Sequence, residues 1–418
     1  MAIVGGGLAG LAAAYGLRDH CRVVVFEREG RLGGRVLTSD RPRGEQGAEF
    51  VLRSEKRLIG LLKELGVGQR RITEYCSYRL GGVQASGGIS SVARALLSPE
   101  SARHFMDVGM GIQKESPPSD RSFAEWLFRR ADGDLPAIRL IEMILAGETC
   151  APLHHIDARY GAECLFDTFI PDQWYRIRGG ADQLVTKLSG ALARSSSATV
   201  KCGFVVARVS AAGGQVEISG SQKLPSAMAR FDAAVLTAPD ADILLPRNNG
   251  PRLRLLGRPR HYHAYISLLL EFREAWWRGS GIGLENGLST DGLVNFVEEV
   301  RQEGLGTPVL RMLLPTAESL IDLSDRRIVQ RCVEALRQLT PQARAPLRTR
   351  VQKWAKGLPC GGARTMRCLR VGTRTYLAGD RFARWPSMNG AVESGFAAAR
   401  AVLSDLRAAG RSRRPPGH

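Results

Sequence analysis

The chain has 418 residues, a formal net charge of +18, and a composition that is 44% apolar and 6% aromatic. That length suggests about two domains on a prior of roughly 150 residues each. No apolar run reaches the ~18 residues of a membrane span, so the composition reads as soluble and globular. Arginine greatly outnumbers lysine and is scattered along the chain. The positive charge therefore reads as a compositional bias, and no nucleic-acid partner is expected, although a basic surface for a polyanion stays open. No n-region or cleavage site precedes the first strand, which makes the cytoplasm the expected location.

Residues 1–36 organise the rest. Ile3-Val4 is a short apolar strand, Gly5-Gly6-Gly7-Leu8-Ala9-Gly10 has the G-x-G-x-x-G spacing, and an Ala-rich helix follows over 11–17. A second strand, 22–26, ends on Glu27, 22 positions past Gly5, where an acid can take ribose hydroxyls. Gly5 makes the tight turn, Gly7 lets the backbone approach a pyrophosphate, and Gly10 lets helix and strand pack closely. The helix N-terminus faces the phosphate charge. Alone, this pattern admits any dinucleotide enzyme.

A second glycine turn with cations follows in Arg28-Glu29-Gly30-Arg31-Leu32-Gly33-Gly34-Arg35-Val36. Here the residues resemble the flavin amine oxidase superfamily, whose FAD-binding segment continues into a G-R-x-G-G-R stretch. The resemblance implies bound FAD. It places Leu8, Ala9, Arg28, Gly34 and Arg35 around its phosphates and adenosine, and passes Gly47, Ala48 and Glu49 along the flavin ring.

Further along, 56–65 reads as an amphipathic helix ended by Gly66, 78–83 as a small hairpin, and 122–130 and 135–145 as helices. His154-His155 are adjacent and so face different ways on a helix or strand, and no Cys/His cluster of ligand spacing accompanies them, so no metal is expected. The eight cysteines form no C-x-x-C pair and read mostly as small buried residues. Cys360 lies where some amine oxidases attach the flavin, but it precedes a Gly-Gly pair instead of following one, so non-covalent FAD is expected.

The phrase 174–184 is similar to the element with which the superfamily re-enters its FAD domain. Stretches 198–202, 205–209 and 216–218 read as an antiparallel meander, and 231–239 as a strand closing on Pro239. Val206 and Val209 match the family's adenine-contacting V-x-x-I strand. The helix 325–339 and the strand 351–354 lead to Thr375–Asp380 and 387–398, similar to the family's Y-x-A-G-D/E and G-A-x-x-S-G-x-x-A-A ending. That resemblance puts Gly379 and Asp380 at the ribityl and phosphate region, and Met388 and Ala391 at a helix N-terminus beside the flavin.

Two departures bear on chemistry. Strand 264–272, ending at Trp276-Trp277, resembles the strand that presents a lysine beneath flavin N5, but that position is Ser267, and no lysine occurs between Lys223 and Lys353. In the family this lysine is associated with fast reaction of reduced flavin with oxygen. Its absence leaves room for a dehydrogenase or desaturase. The arginine with which amino-acid oxidases grip a carboxylate is replaced by Phe50, with Arg53 close in sequence. The flanking aromatic cage falls at Ser387 and near Arg364. Site-facing candidates are Phe50, Tyr265, Ser267, Trp276 and Trp385, with Tyr265 and Ser267 sharing a strand face.

The resemblance thus implies an α/β fold: a Rossmann-like FAD-binding domain of the amine oxidase/glutathione-reductase type, with an inserted α+β substrate domain. The expected division is 1–75, 179–245 and 350–405 for FAD, 76–178 and 246–349 for substrate, and a disordered basic tail over 406–418. The expected activity is FAD-dependent hydride removal from a C–H beside an amine nitrogen of a small-molecule or biosynthetic-intermediate substrate, with O2 or another electron acceptor, in a monomer or homodimer. A phytoene-type C–C desaturase and a catalytically weak flavin-binding interaction protein are the alternatives.

Overall fold

The computed structural model describes residues 1–72, 76–112, 117, 121–169, 173–220, 229–239, 244–245, 262–301, 306–315, 317–359, 367–372, 374–383 and 386–412. A six-stranded sheet runs in the order Ala198–Lys201, Val23–Phe26, Ala2–Val4, Ala234–Leu236, Thr375–Leu377, Leu369–Gly372. Its first five strands are parallel and the last is antiparallel. Strands from distant parts of the chain thus make one Rossmann-like sheet, whose near-continuous apolar runs are explained by cover on both faces. Ile3, Val25 and Val235 pack on the helices Leu8–Leu17, Asp182–Ala193 and Met388–Ser412. Ala2, Val4 and Leu236 pack on the three-stranded meander.

The meander differs from the sequence expectation. It consists of Val206–Ala212, Gln215–Gly220 and Ala229–Phe231. Residues 198–201 instead pair in parallel with Val23–Phe26. Alternation over so few residues does not distinguish the two partnerships, and the parallel edge wins because Val23 and Val25 supply a buried neighbour.

The Leu8–Leu17 helix is small and apolar on every side, with nine of its ten residues buried, because it is sandwiched. A Cβ on Gly395 would stand 2.2 Å from the Ala9 carbonyl oxygen, so glycine there sets how closely the two helices cross. The closing helix runs on to Ser412. The first residues of the expected disordered tail, 406–412, are therefore helical, while 413–418 lie outside the described residues.

A seven-stranded sheet has the order Arg348–Pro359, Tyr262–Glu271, Val309–Leu314, Phe296–Glu299, Leu288–Thr290, Ser77–Leu80, Val83–Ser86. The strand expected over 351–354 is therefore longer, and residues 350–359 share a sheet with 262–271 instead of with the cofactor strands. The helix Asp325–Leu339 packs on this sheet through Ile328, Cys332 and Leu336. The helices between Ile89 and Phe169 form a separate helical core around Phe105, Phe123, Leu140 and Leu165. A short three-stranded sheet, Phe50–Leu52, Trp174–Ile177 and Gln69–Arg71, connects these parts. Among the described residues no helix is long and apolar enough to cross a membrane.

Candidate active site

One cavity of about 2770 Å³ runs from the glycine turn to the helical core. Gly5, Gly7, Leu8, Ala9, Glu27, Arg28, Gly34 and Val206 line one arm. Arg35, Gly47, Ala48, Glu49, Phe50, Tyr265, Gly379, Asp380, Met388 and Ala391 line its middle. Sequence reasoning therefore brought together almost all of its proposed cofactor residues. Gly10 is the exception, and for the reason expected: its Cβ would lie 1.9 Å from the Gly5 carbonyl oxygen, so it serves the packing of helix against strand.

The lining fits a dinucleotide. Gly5 has φ +108° and Gly34 φ +57°, conformations that favour glycine. A Cβ on Gly7 would meet only the Gly34 Cα, at 3.8 Å. The protein itself therefore does not require glycine at position 7, whereas a phosphate close to the backbone would. The carboxylate of Glu27 accepts hydrogen bonds from the Gly6 amide at 2.6 Å and the Glu29 amide at 2.9 Å. These fix its orientation and leave acceptor sites for hydroxyls. Arg28 is exposed and pairs with Glu29.

Two residues assigned to the same phosphate region meet each other. Arg35 donates to the Asp380 carboxylate at 2.7 Å and to the Gly357 carbonyl at 2.7 Å. Burial alone would lower the Arg35 pKa, but the Asp380 charge reverses this and holds it above its ordinary value. The Met388–Ser412 helix begins at the cavity wall, where Ser387 Oγ accepts from the Gly390 amide at 3.1 Å. Its first-turn amides are the positive end of the longest helix among the described residues.

At the centre lies a group that sequence reasoning missed. Arg176 contacts Glu49 at 2.7 Å and Glu298 at 2.6 Å; Arg311 contacts Glu298 at 2.8 Å and also pairs with Glu49. The four side chains form a buried, charge-balanced square. Burial would raise Glu298, but Arg311 and Arg176 pull it below its ordinary value. The Arg176 and Arg311 guanidinium carbons lie 5.2 and 5.8 Å from the Phe50 ring centre, and Trp174 meets that ring edge-on at 5.2 Å. A signal did exist: Arg311 interrupts the otherwise apolar Val309–Leu314, and a lone cation in a buried strand requires a partner.

Glu45 adjoins the square. Burial first, and then the Glu49 charge, push it up to about 7, although it accepts from the Ala181 amide and the Thr38 hydroxyl. A carboxyl with a raised folded pKa favours the folded state below its unfolded value near 4.5, and that contribution is lost as pH rises towards 7. The Glu45→Gln variant is therefore expected to melt with wild type at pH 5 and above it at pH 8, by up to about 3 kcal/mol. Parallel melting curves at the two pH values would remove this explanation.

The five catalytic candidates separate. Phe50 and Tyr265 line the cavity. Ser267 is fully buried, its Oγ has no hydrogen-bond partner among the described residues, and it sits between Leu313 and Gln352, which both line the cavity. It therefore shares the cavity face of Tyr265. Trp276 does not reach the site. It stacks edge-on with Trp277 at 5.3 Å beyond the end of the Tyr262–Glu271 strand, against the core of that sheet. From Tyr265 to Glu271 alone the strand advances roughly 20 Å. Trp385 lies outside the described residues, as do Cys360 and Arg364. Trp354, the register partner of Tyr265, takes an aromatic place on the wall, 6.2 Å from it. Burial raises the Tyr265 phenol above its ordinary value, so it keeps its proton. Among the described residues no group of three or more His, Cys, Asp or Glu side chains could hold a metal.

A Rossmann-like sheet whose glycine turns open into a cavity shared with a second sheet and a helical core defines a dinucleotide-dependent oxidoreductase. The chain belongs to the flavin-containing amine oxidoreductases, whose family model matches residues 8–403, and FAD is its cofactor. It is 29% identical to protoporphyrinogen oxidase 2 of Arabidopsis thaliana over 189 residues, 42% of this chain and 35% of that protein. The matched stretch thus spans about a third of that relative's length. In fold it is similar to putrescine oxidase bound to putrescine (TM-score 0.76, 19% identity, 96% and 98% of the two chains). It is likewise similar to cyclohexylamine oxidase from Brevibacterium oxydans (TM-score 0.77, 18% identity, 97% and 99%).

Proposed function

We propose that the protein oxidises a small amine to an imine by giving up hydride from the C–H beside the nitrogen to non-covalently held FAD. The observation that supports an amine is the charge of the cavity arm beyond Phe50. Glu148, Glu163 and Asp167 line it, with Arg159 as the cation beside them, so the acids are in excess. Arg176 and Arg311, the guanidinium groups beside Phe50, are committed to Glu49 and Glu298. Such a wall attracts an ammonium and disfavours the carboxylates of a porphyrinogen, the substrate that the curated relative's name suggests.

FAD, when bound, supplies the hydride acceptor. The chain's own part is orientation. Tyr265 Oη, keeping its proton, can donate a hydrogen bond but cannot serve as base. Phe50 and Trp354 supply apolar walls that exclude water.

Anaerobic addition of a primary amine to the yellow protein is expected to bleach the flavin and yield the imine or its aldehyde. If coproporphyrinogen or an unsaturable lipid bleaches it and no amine does, a different donor is oxidised. If nothing bleaches it and it binds polyanions salt-sensitively, the interaction-protein reading holds instead.

Reoxidation by air is expected to be slow. Lys353, the register partner of Ile266 on the neighbouring strand, has its ammonium tied to the Leu323 carbonyl at 2.6 Å and to Asp325 at 3.1 Å, so it does not replace the missing lysine. Stopped-flow reoxidation as fast as in lysine-bearing oxidases would overturn this, and slow reoxidation points to an electron acceptor other than O2.

A further inference from the structure

Four exposed or half-exposed arginines, from four segments of the chain, close a ring on one face of the protein. Arg43 Nη2 donates to the Gly179 carbonyl at 3.0 Å, Arg178 Nε donates to the Gln69 carbonyl at 3.2 Å, and Arg70 Nη2 reaches the Arg301 carbonyl at 3.5 Å. Val300 completes the ring, because a Cβ on Gly44 would lie 3.4 Å from it and 2.8 Å from Leu269. Arg350, exposed on the edge strand Arg348–Pro359, is the register partner of Leu269 and so projects to the same side. Each of these hydrogen bonds ends on a neutral carbonyl, which fixes a guanidinium without cancelling its charge.

Among the described residues this face keeps an excess of positive charge. Asp40, opposite Arg43 in the hairpin of Thr38–Asp40 and Arg43–Glu45, and the half-buried Asp182 offset part of it. Arg176, the register partner of Arg70, belongs to the charge-balanced square beneath. A compositional surplus of arginine explains the number of these cations but not their place over the cofactor wall. From Arg43 the chain runs through Glu45 to Gly47 and Ala48, which line the cavity where the resemblance puts the flavin ring. Four residues of extended chain span at most about 13 Å. Gly47 is pressed against the Arg35 segment, since its Cβ would stand 1.9 Å from the Arg35 carbonyl oxygen. Trp354 adds an aromatic ring to the same wall, its Nε1 donating to the Gln46 carbonyl at 2.6 Å. The cationic face and the flavin wall thus belong to one hairpin and the residues that follow it.

We propose that this arginine face docks an acidic one-electron carrier protein, a copper or haem protein of high potential, which takes the electrons of the reduced flavin in place of O2. The inference rests on the slow reoxidation by air proposed above. Segments spread over a hairpin and two sheets offer more surface than a small anion covers, and their charge steers an acidic partner at long range. Two carriers dock in turn and each metal takes one electron, Cu(II) becoming Cu(I) in a copper protein. The flavin returns to its oxidised form as its N5 proton passes to water. The carrier stays outside the cavity, so amine and carrier do not compete for one site.

The probe is plastocyanin, an acidic blue-copper protein, with the basic mitochondrial cytochrome c as contrast. Holoenzyme photoreduced without any amine and mixed anaerobically with Cu(II) plastocyanin is expected to bleach the copper about tenfold or more faster than it reduces cytochrome c. Raising salt from about 50 to about 300 mM should slow the copper reaction by about tenfold or more. Titration calorimetry of oxidised holoenzyme with Cu(I) plastocyanin, a pair that exchanges no electrons, should show binding that weakens in the same way. Arg178→Glu/Arg301→Glu is expected to lower both rate and affinity about tenfold or more, while the flavin spectrum is unchanged and the rate with uncharged benzoquinone stays within about twofold. Rates that ignore salt or do not favour plastocyanin overturn the proposal, as does a double variant that matches wild type. Binding without electron transfer overturns it too, since the face would then serve another acidic partner. The wild-type salt series decides alone if the variant does not fold. Fast reoxidation by air beside salt-sensitive transfer to plastocyanin would sink the air reading and leave the carrier site standing. Slow reoxidation by air with plastocyanin left oxidised would do the reverse.

Discussion

Arg311→Met is expected to destabilise the protein by about 3–5 kcal/mol and to lower its flavin content. Arg311 is 2% exposed, and its partners Glu298 and Glu49 are 5% and 8% exposed. Removal leaves two buried carboxylates sharing one guanidinium, Arg176, so one carboxylate must be buried unpaired or take up a proton. Methionine approximates the volume, so the loss comes from charge and not from a cavity. Phe50 gives the effect a route to function, because its ring packs beside both guanidinium groups and lines the cavity next to Gly47 and Ala48. Thermal melts and flavin absorbance of the purified protein measure it. The double variant Glu298→Gln/Arg311→Met restores charge balance and should recover part of the loss, giving a coupling energy between the two sites. A single variant that melts with wild type would show that the square contributes nothing net.

The cofactor arm was legible in the sequence because its physics is local. Gly5, Gly7 and Gly10 act within one turn, Glu27 follows at the end of the next strand, and each requirement leaves a residue type at a fixed spacing. The arrangement of strands was legible only where a motif pinned it. Residues 198–202 read as part of the meander because a short alternating run carries no record of its partner, and the parallel edge of the main sheet is chosen by packing. The charged square was not legible as a unit. Arg176, Glu298 and Arg311 come from three strands and Glu49 from the loop before Phe50–Leu52, and only the fold brings them together. Trp276 shows the opposite failure. Sequence distance from Ser267 made it look close, whereas an extended strand carries it to the far side of its own sheet.

The two glycines that read alike in the motif should part company on mutation. Gly10→Ala puts a Cβ 1.9 Å from the Gly5 carbonyl oxygen and 3.0 Å from Thr237 Oγ1. Backbone cannot yield as a flexible side chain does, so helix and strand must separate, at a cost of at least about 3 kcal/mol, beyond ordinary overpacking. The apoprotein itself should melt lower. Gly7→Ala meets nothing nearer than the Gly34 Cα at 3.8 Å, and Gly7 has φ −72° and ψ 179°, values that alanine adopts freely. Apoprotein stability should stay within about 0.5 kcal/mol, or rise slightly as the unfolded chain loses freedom. FAD affinity should nevertheless fall at least tenfold, because the added methyl takes the space through which a pyrophosphate reaches the amides at the helix N-terminus. Melting of the apoprotein and FAD titration by flavin fluorescence read the two effects separately. If Gly7→Ala binds FAD as tightly as wild type, the pyrophosphate does not pass at Gly7 and the cofactor must enter the cavity in another register. If Gly10→Ala leaves the melting temperature unchanged, the close approach to Gly5 is not what the third glycine provides.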